Sequence, residues 1–178
     1  MTLLNILHFP DNKLRQKGES IGTFDAELEK IAHDMLETMY ASKGIGLAAV
    51  QVNMPIRLIV IDISESRNEP LFLVNPVIID KKDKIVFEEG CLSVPGFYEQ
   101  VERYNSIKFT YQNLDGGICT EDAEGLLAVC VQHEIDHLDG KLFVDYISEL
   151  KRDRIAKKIK KAELDDSLPS RKDVPYNI

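Results

Sequence analysis

The sequence lacks the features typical of secreted and membrane proteins, namely a disulfide pattern, a membrane span and a signal peptide. Its 178 residues include three cysteines and no tryptophan, and an odd cysteine count without regular spacing does not describe a disulfide framework. No apolar run is long enough to span a membrane, and the first residues lack the pattern of a signal peptide. We therefore expect a cytoplasmic protein, in which a cysteine with a special role is a ligand or a nucleophile.

Positive charge is also scarce, except in one segment. The formal net charge is −8, which argues against a protein that binds nucleic acid over its whole surface. Residues 151–161, KRDRIAKKIKK, carry seven Lys and Arg against one Asp. They belong to a predicted C-terminal helix at about 144–164. Such a run is usually a solvated helix face, and it also suits local attraction to a polyanion.

The hydrophobic pattern predicts an α+β domain at 1–168, followed by a loose tail at 169–178. Apolar residues at spacings of three and four predict a helix at about 25–41. The segment at 123–138 predicts a second helix that lies centrally, because it is apolar on every side from Leu126 to Val131. Strands are predicted at 56–63, 71–80 and 99–113. Pro76 confines the second of these strands to a sheet edge or a bulge.

The central helix ends in an HExxH motif, His133 to His137. Histidines four residues apart lie on one helix face, so both can bind the same metal ion. Glu134 is close enough to reach a water on that ion. A motif this short also occurs as the polar end of a solvated helix. Here the preceding turns are apolar, and buried histidines require partners, which favours a metal site.

A catalytic metal site usually has three protein ligands and an open position. The HExxHxxGxxH class of proteases is excluded, because the position of its third ligand is occupied by Phe143. A downstream acid, Asp145 or Glu149, stays open as the third ligand of another HExxH metallopeptidase. The better candidate for the third ligand lies upstream, at Cys91, because it follows a glycine in a non-helical stretch where the backbone can approach closely. Free cysteines are usually small buried hydrophobes, and this is our expectation for Cys119 and Cys130.

Three segments carry a resemblance to a known family: GIGLAAVQV (44–52), EGCLS (89–93) and QHEIDHLDG (132–140). Their order and spacing resemble those of bacterial-type peptide deformylases. The resemblance implies an α+β fold with antiparallel or mixed β-sheets packed around the HExxH helix. It implies a hydrolase that removes the N-formyl group from the initiator methionine of nascent polypeptides and releases formate.

The resemblance also implies roles for individual residues. The metal ligands would be Cys91, His133 and His137, and Glu134 would be the general acid/base when an activated water attacks the formyl carbonyl. The side chain of Gln51 and the backbone N–H of Leu92 would stabilise the oxyanion. From its local sequence alone, Gln51 is better explained as a polar residue that ends a loop, and only the resemblance favours the catalytic role.

The implied cofactor is one divalent ion per chain, Fe²⁺ in bacterial members, with Zn²⁺ or another divalent ion able to substitute. One thiolate and two imidazoles suit both metals. Candidate substrate-binding residues are Ile45, Gly46, Phe87, Glu89, Gly90, Leu126, Val129 and Cys130. Leu126 and Val129 are equally compatible with plain core. One departure from the family pattern is Tyr98, close to which many members carry an arginine.

The implied partners are formyl-methionyl nascent peptides and the ribosome, near its exit tunnel, which the basic C-terminal helix would contact. We expect no membrane and no DNA partner. Two alternatives stay open at this point. One is an HExxH metallopeptidase of another class, and the other is a catalytically silent protein that binds ribosomes or peptides.

Overall fold

The computed structural model describes residues 2–169, and the predicted tail beyond Pro169 lies outside them. One five-stranded antiparallel sheet has its strands in chain order, with three α-helices around it. The strands are β1 (Gly46–Ala48), β2 (Leu58–Ile61), β3 (Leu71–Glu89), β4 (Glu99–Gln112) and β5 (Ile118–Glu124). The helices are α1 (Ala26–Ala41), α2 (Gly125–Leu138) and α3 (Glu149–Leu164). The predicted α+β class is confirmed.

Helix α1 begins where the sequence predicts it to begin. The carboxylate of Asp25 accepts hydrogen bonds from the backbone N–H groups of Glu27 and Leu28, which satisfies donors at the helix start. The apolar face of α1, including Met35 and Met39, packs with β1 and β2 in one of three core clusters. Its packing holds the segment that follows, which carries β1 and Gln51.

Strands β3 and β4 form a long hairpin that extends beyond the predicted strands. The predicted end of β3 at residue 80 is too early, because pairing with β4 continues to Glu89, opposite Glu99. The register shifts between Val74 and Val77, so Pro76 lies at a bulge, as predicted. The long β3 delivers Glu89 and the following Cys91 to the end of α2.

Helix α2 is the central element. It packs against all five strands, and its first residue is Gly125 because Ala123 and Glu124 pair with β4 as part of β5. At the other end, Gly140 has a positive φ of 74°. A side chain there would meet the backbone of Arg15, which explains why the helix stops at a glycine.

Helix α3 starts later than predicted. Residues Phe143–Tyr146 form a short 3₁₀ helix, and the hydroxyl of Ser148 accepts a hydrogen bond from the N–H of Lys151 to cap α3. Ile155 and Ile159 are buried in a core cluster that also contains Cys91, so α3 is part of the domain core. Among residues 2–169, no helix is long and apolar enough to cross a membrane.

Candidate metal centre

Three potential ligand atoms converge where β3, the turn after it and α2 meet. His137 Nε2 lies 3.2 Å from Cys91 Sγ and 3.2 Å from His133 Nε2. All three atoms lie within 4.8 Å of one another, and all three residues are buried. A tetrahedral ion with the usual Zn–N and Zn–S bonds separates its ligand atoms by about 3.3–3.6 Å. The described side chains therefore fit a divalent ion.

The position of each ligand follows from local structure. The histidines are one helical turn apart on α2, so their rings share a face. Cys91 begins a turn in which the N–H of Val94 bonds to the Cys91 carbonyl at 3.0 Å. The backbone N–H of Ser93 lies 3.4 Å from Cys91 Sγ. The sulfur therefore lies within hydrogen-bond reach of a backbone donor.

The carboxylate of Glu89 orients His133. Its Oε2 lies 2.8 Å from His133 Nδ1, so the ring donates Nδ1–H and keeps the Nε2 lone pair for the metal side. Burial alone would raise the pKa of Glu89, but hydrogen bonds with His133 and Arg103 lower it to about 2. Glu89 is therefore a carboxylate at any physiological pH.

The surroundings of the two histidines shift their pKa values in opposite directions. Burial would lower the pKa of His133, but the neighbouring Cys91 and Glu89 raise it well above its ordinary value. The pKa of His137 lies well below its ordinary value because of burial and the charges of His133 and Arg103. The region between Cys91 and His133 thus attracts positive charge. A proton or a metal ion can supply that charge.

Glu134 lies beside this cluster with only 1% of its surface exposed. Gly46 makes room for it: a Cβ at Gly46 would lie 3.0 Å from Glu134 Cδ, 2.8 Å from Cys130 Sγ, and closer still to Glu134 Oε1. The close approach of β1 to α2 therefore depends on the absence of a side chain at residue 46.

Gln51 faces Cys91 from a 3₁₀ helix, Ala49–Val52. Its Oε1 accepts a hydrogen bond of 2.7 Å from the N–H of Ala48, which fixes the amide orientation. The Nε2 group donates to Ser93 Oγ at 3.1 Å and lies 3.5 Å from Cys91 Sγ. The donor end of the amide is therefore directed toward the cluster. Leu92, the other predicted oxyanion donor, is the residue after Cys91 and lies against Gly44.

The predicted apolar pocket residues come together in one core cluster. Ile45, Val129 and Cys130 are buried in it, and Phe87 and Leu126 pack against it with partial exposure. Gly90 is buried between Glu89 and Cys91. The side chain of Glu89, another predicted substrate-binding residue, is fully buried and is bound by Arg103 and His133.

The two acids considered as alternative third ligands, Asp145 and Glu149, do not lie with the histidines of the HExxH motif. Asp145 Oδ1 and Oδ2 lie 2.9 Å and 2.5 Å from the guanidinium of Arg15, and Oδ2 also accepts from the N–H of Leu142. Glu149 is exposed in the first turn of α3. Neither belongs to the group of converging ligand atoms found among residues 2–169. The geometry therefore favours Cys91 over both acids as the third ligand.

Four residues around the cluster were not predicted as site residues from the sequence: Ser93, Arg103, Asp136 and Tyr146. Arg103 carried a signal, because it occupies an inward position of an alternating strand, where a charge needs a partner. A neighbouring cavity of about 420 Å³ is lined by Cys91, Leu92, Phe97 and Tyr98, among others. Tyr98, which departs from the family pattern, thus lies beside the candidate metal centre and not within it.

Comparisons with known proteins show which family the chain is similar to. Residues 3–153 match a family model described as polypeptide deformylase. A peptide deformylase of Nitrosococcus oceani is 52% identical over 163 residues, 92% of this chain and 98% of the relative. One from Teredinibacter turnerae is 55% identical over 163 residues, 90% of this chain and 96% of the relative.

Solved structures of the same family are also similar to this chain over most of its length. The crystal structure of a peptide deformylase from Legionella pneumophila superposes with a TM-score of 0.89 at 43% identity, covering 94% of this chain and all of that chain. The Ehrlichia chaffeensis enzyme, solved in complex with actinonin, gives 0.88 at 40% identity over 92% of this chain and 99% of that chain. The similarity extends over the strands and helices that surround the candidate site.

Proposed function

This chain belongs to the polypeptide deformylase family, and we propose that it removes the N-formyl group from the initiator methionine of nascent polypeptides in the cytoplasm, releasing formate. The observation that carries the proposal is the buried convergence of Cys91 Sγ, His133 Nε2 and His137 Nε2 beside Glu134. Hydrolysis of a formamide needs an activated water, a polarised carbonyl and a proton for the departing amine. The surrounding side chains are suited to these tasks.

Cys91, His133 and His137 would hold one divalent ion. When bound, the ion would supply a Lewis acid and lower the pKa of a water molecule. A thiolate with two imidazoles accommodates Fe²⁺ and Zn²⁺, and we propose Fe²⁺ as the physiological metal. Glu89 serves this site by keeping the Nδ1 proton of His133 in place.

Glu134 would move the protons. Its carboxylate would accept a proton from the attacking water and pass it to the amine nitrogen as the C–N bond breaks. Because Glu134 follows His133 directly on α2, its carboxylate lies beside the ligands, and the space left by Gly46 accommodates it. Its near-complete burial limits exchange of the proton with solvent.

Gln51 and the backbone N–H of Leu92 would stabilise the oxyanion. The N–H of Ala48 holds Gln51 Oε1, so the Nε2 donor is already directed toward the cluster before substrate arrives. A donor that needs no reorientation during the reaction stabilises developing charge most effectively. Ser93 Oγ, 3.1 Å from Nε2, is the group that substrate would displace or share.

The methionine side chain would bind the apolar cluster formed by Ile45, Phe87, Leu126, Val129 and Cys130. An unbranched thioether adapts well to such a pocket. The peptide would run along β1, which is one of the two edge strands of the sheet and pairs with β2 on one side. Backbone pairing with an edge strand tolerates varied side chains, as a substrate set of many nascent chains requires.

We further propose that α3 contacts ribosomal RNA near the exit tunnel. Its exposed face carries Arg154, Lys157, Lys158 and Lys161, and positive charge attracts RNA backbone. Truncating α3 is a poor test, because Ile155 and Ile159 belong to the core. We instead expect Lys157→Glu/Lys161→Glu to weaken ribosome binding at least tenfold, while the control Lys13→Glu/Lys17→Glu does not. Equal affinity of the two variants would rule out this contact.

The central experiment measures formate released from a formyl-methionyl peptide by anaerobically prepared, Fe²⁺-loaded protein. We expect Glu134→Ala to retain metal and lose turnover, Cys91→Ala to lose metal, and the control Cys119→Ala to resemble wild type. Inactive wild-type protein with full metal occupancy would refute the activity. Full metal occupancy in Cys91→Ala would refute the ligand assignment. Cleavage of unformylated peptides instead would indicate a metallopeptidase.

A further inference from the structure

Arg103 is a cation at a core position of β4. Along this strand Val101 and Arg103 are buried whereas Glu102 is exposed, so the alternation of the strand directs Arg103 inward. Its side chain is 5% exposed. A guanidinium at such a position must be paired, because an uncompensated buried charge costs several kcal/mol.

Arg103 binds the carboxylate that orients His133. Its Nε lies 2.5 Å from Glu89 Oε1 and its Nη2 lies 3.0 Å from Glu89 Oε2, which is the two-point contact that the planar guanidinium favours. The same Oε2 accepts from His133 Nδ1 at 2.8 Å. A displacement of Arg103 would therefore move the atom that sets the orientation of the His133 ring.

Asp136 and Tyr146 contact the guanidinium of Arg103 on the side away from Glu89. Its Nη1 lies 2.6 Å from Asp136 Oδ2, and the hydroxyl of Tyr146 donates to the same oxygen at 2.7 Å. The Tyr146 ring stacks near the guanidinium, with its centroid 4.8 Å from Arg103 Cζ. Asp136 directly precedes His137 on α2, so the chain of contacts returns to the helix that carries both histidines.

We propose that Arg103 is a positioning residue of the metal centre, which fixes Glu89 and through it His133, and that Asp136 and Tyr146 fix Arg103 in turn. The inference rests on the proposed metal site and not on deformylation. It predicts that metal affinity depends on the forked geometry of Arg103 as well as on its charge. Changes to partners behind a ligand typically weaken metal binding about 10- to 100-fold.

The competing explanation is that Arg103 merely stabilises the fold, and the chain offers a matched control. Arg57 Nη1 lies 2.9 Å from Asp139 Oδ1, and this carboxylate lies at the end of the same helix. Both arginines thus tie α2 to the sheet, but only Arg103 contacts Glu89. Arginine-to-lysine substitution retains the charge at either position and removes the fork.

The experiment measures Co²⁺ affinity by competition with a chelating dye, and records the cobalt d–d and thiolate charge-transfer absorption. We expect Arg103→Lys to weaken binding about 10- to 100-fold and to alter the spectrum, with Arg57→Lys within twofold of wild type. Tyr146→Phe should weaken binding about 2- to 5-fold. In the Arg103→Lys background this effect should vanish, because contacts in one chain are not additive.

Wild-type affinity and spectrum in Arg103→Lys would overturn the proposal, as would an equal loss in Arg57→Lys. Should Arg103→Lys fail to fold, Tyr146→Phe decides alone, because Tyr146 is 47% exposed and its hydroxyl is dispensable for packing. Unchanged Co²⁺ affinity in that variant would overturn the proposal. A wild-type protein that binds no Co²⁺ would instead refute the metal site itself, and the two failures are thus distinguishable.

Discussion

The substitution Gly46→Ala should displace the carboxylate of Glu134, the proposed acid/base, from the proposed metal ligands. A Cβ at Gly46 would lie 2.8 Å from Cys130 Sγ and 3.0 Å from Glu134 Cδ, with Glu134 Oε1 nearer still. To restore ordinary contact, that oxygen must move by about 1 Å. Because it is the end of a flexible side chain, the carboxylate can move without unfolding the protein.

The displacement determines the size of the effect. Misplacing a reacting group by about 1 Å costs on the order of 100-fold in rate, which corresponds to about 2.7 kcal/mol of transition-state stabilisation. The stability cost should be smaller, about 1–2 kcal/mol, because overpacking by one methyl group is at the low end of its range. Gly46→Ala should therefore lose kcat out of proportion to any change in unfolding temperature.

The assay compares kcat for formate release, metal content and thermal unfolding in Gly46→Ala and in Gly22→Ala. Gly22 is the matched control, because an added Cβ there has no atom within 4 Å. We expect full metal occupancy in both variants and loss of turnover in Gly46→Ala alone. Turnover within threefold of wild type would refute the reasoning. Recovery of turnover in the double variant Gly46→Ala/Cys130→Ala would show that contact with the sulfur, and not displacement of the carboxylate, causes the loss of turnover.

Three further outcomes test the centre and the fold around it. Gln51→Ala should lower kcat about 100-fold at unchanged metal content, and unchanged kcat at saturating peptide would exclude an oxyanion role. Chelation should lower the unfolding temperature of wild type by roughly 5–10 °C if metal was present at about 100 times its dissociation constant, but should leave Cys91→Ala unaffected. Burial would raise the pKa of Asp145, but Arg15 and the N–H of Leu142 lower it, so its contribution is complete above about pH 4 and is lost as the pH falls. Urea unfolding should accordingly show Asp145→Asn to be about 2 kcal/mol less stable at pH 7 and closer to wild type at pH 3. An equal difference at both pH values would contradict this.

The sequence predicted the elements that have strong local signals. Helix α1 carries a cap and a regular apolar stripe, so its start at Asp25 and its extent were confirmed. The position of Pro76 at a bulge was confirmed as well. The end of β3 was wrong, because its charged second half, KKDK, has no apolar alternation of its own. Pairing with β4 holds that half in the sheet, and pairing is not visible in one strand alone.

Contacts that are not visible in the local sequence also explain why the starts of α2 and α3 differ from the prediction. Ala123 suits a helix by propensity, yet cross-strand pairing with Ile107 places it in β5. For α3, the predicted start at about residue 144 was too early, because Val144 is buried in a 3₁₀ helix before the cap at Ser148. In each case tertiary contacts overrode a weak local preference.

Arg103 shows what a sequence can disclose when burial is taken into account. A strand that alternates in and out predicts its inward positions, and a charged residue at such a position implies oppositely charged partners elsewhere. The sequence offered many acids, and only the fold shows that the partners of Arg103 are Glu89, two residues before Cys91, and Asp136, within the HExxH motif. Three contact networks therefore meet at α2: its histidines face Cys91, its Asp136 faces Arg103, and Arg103 faces the carboxylate that orients His133. These contacts on either side of the two histidines hold α2 in place, so that His133 and His137 can be buried with their rings directed at Cys91.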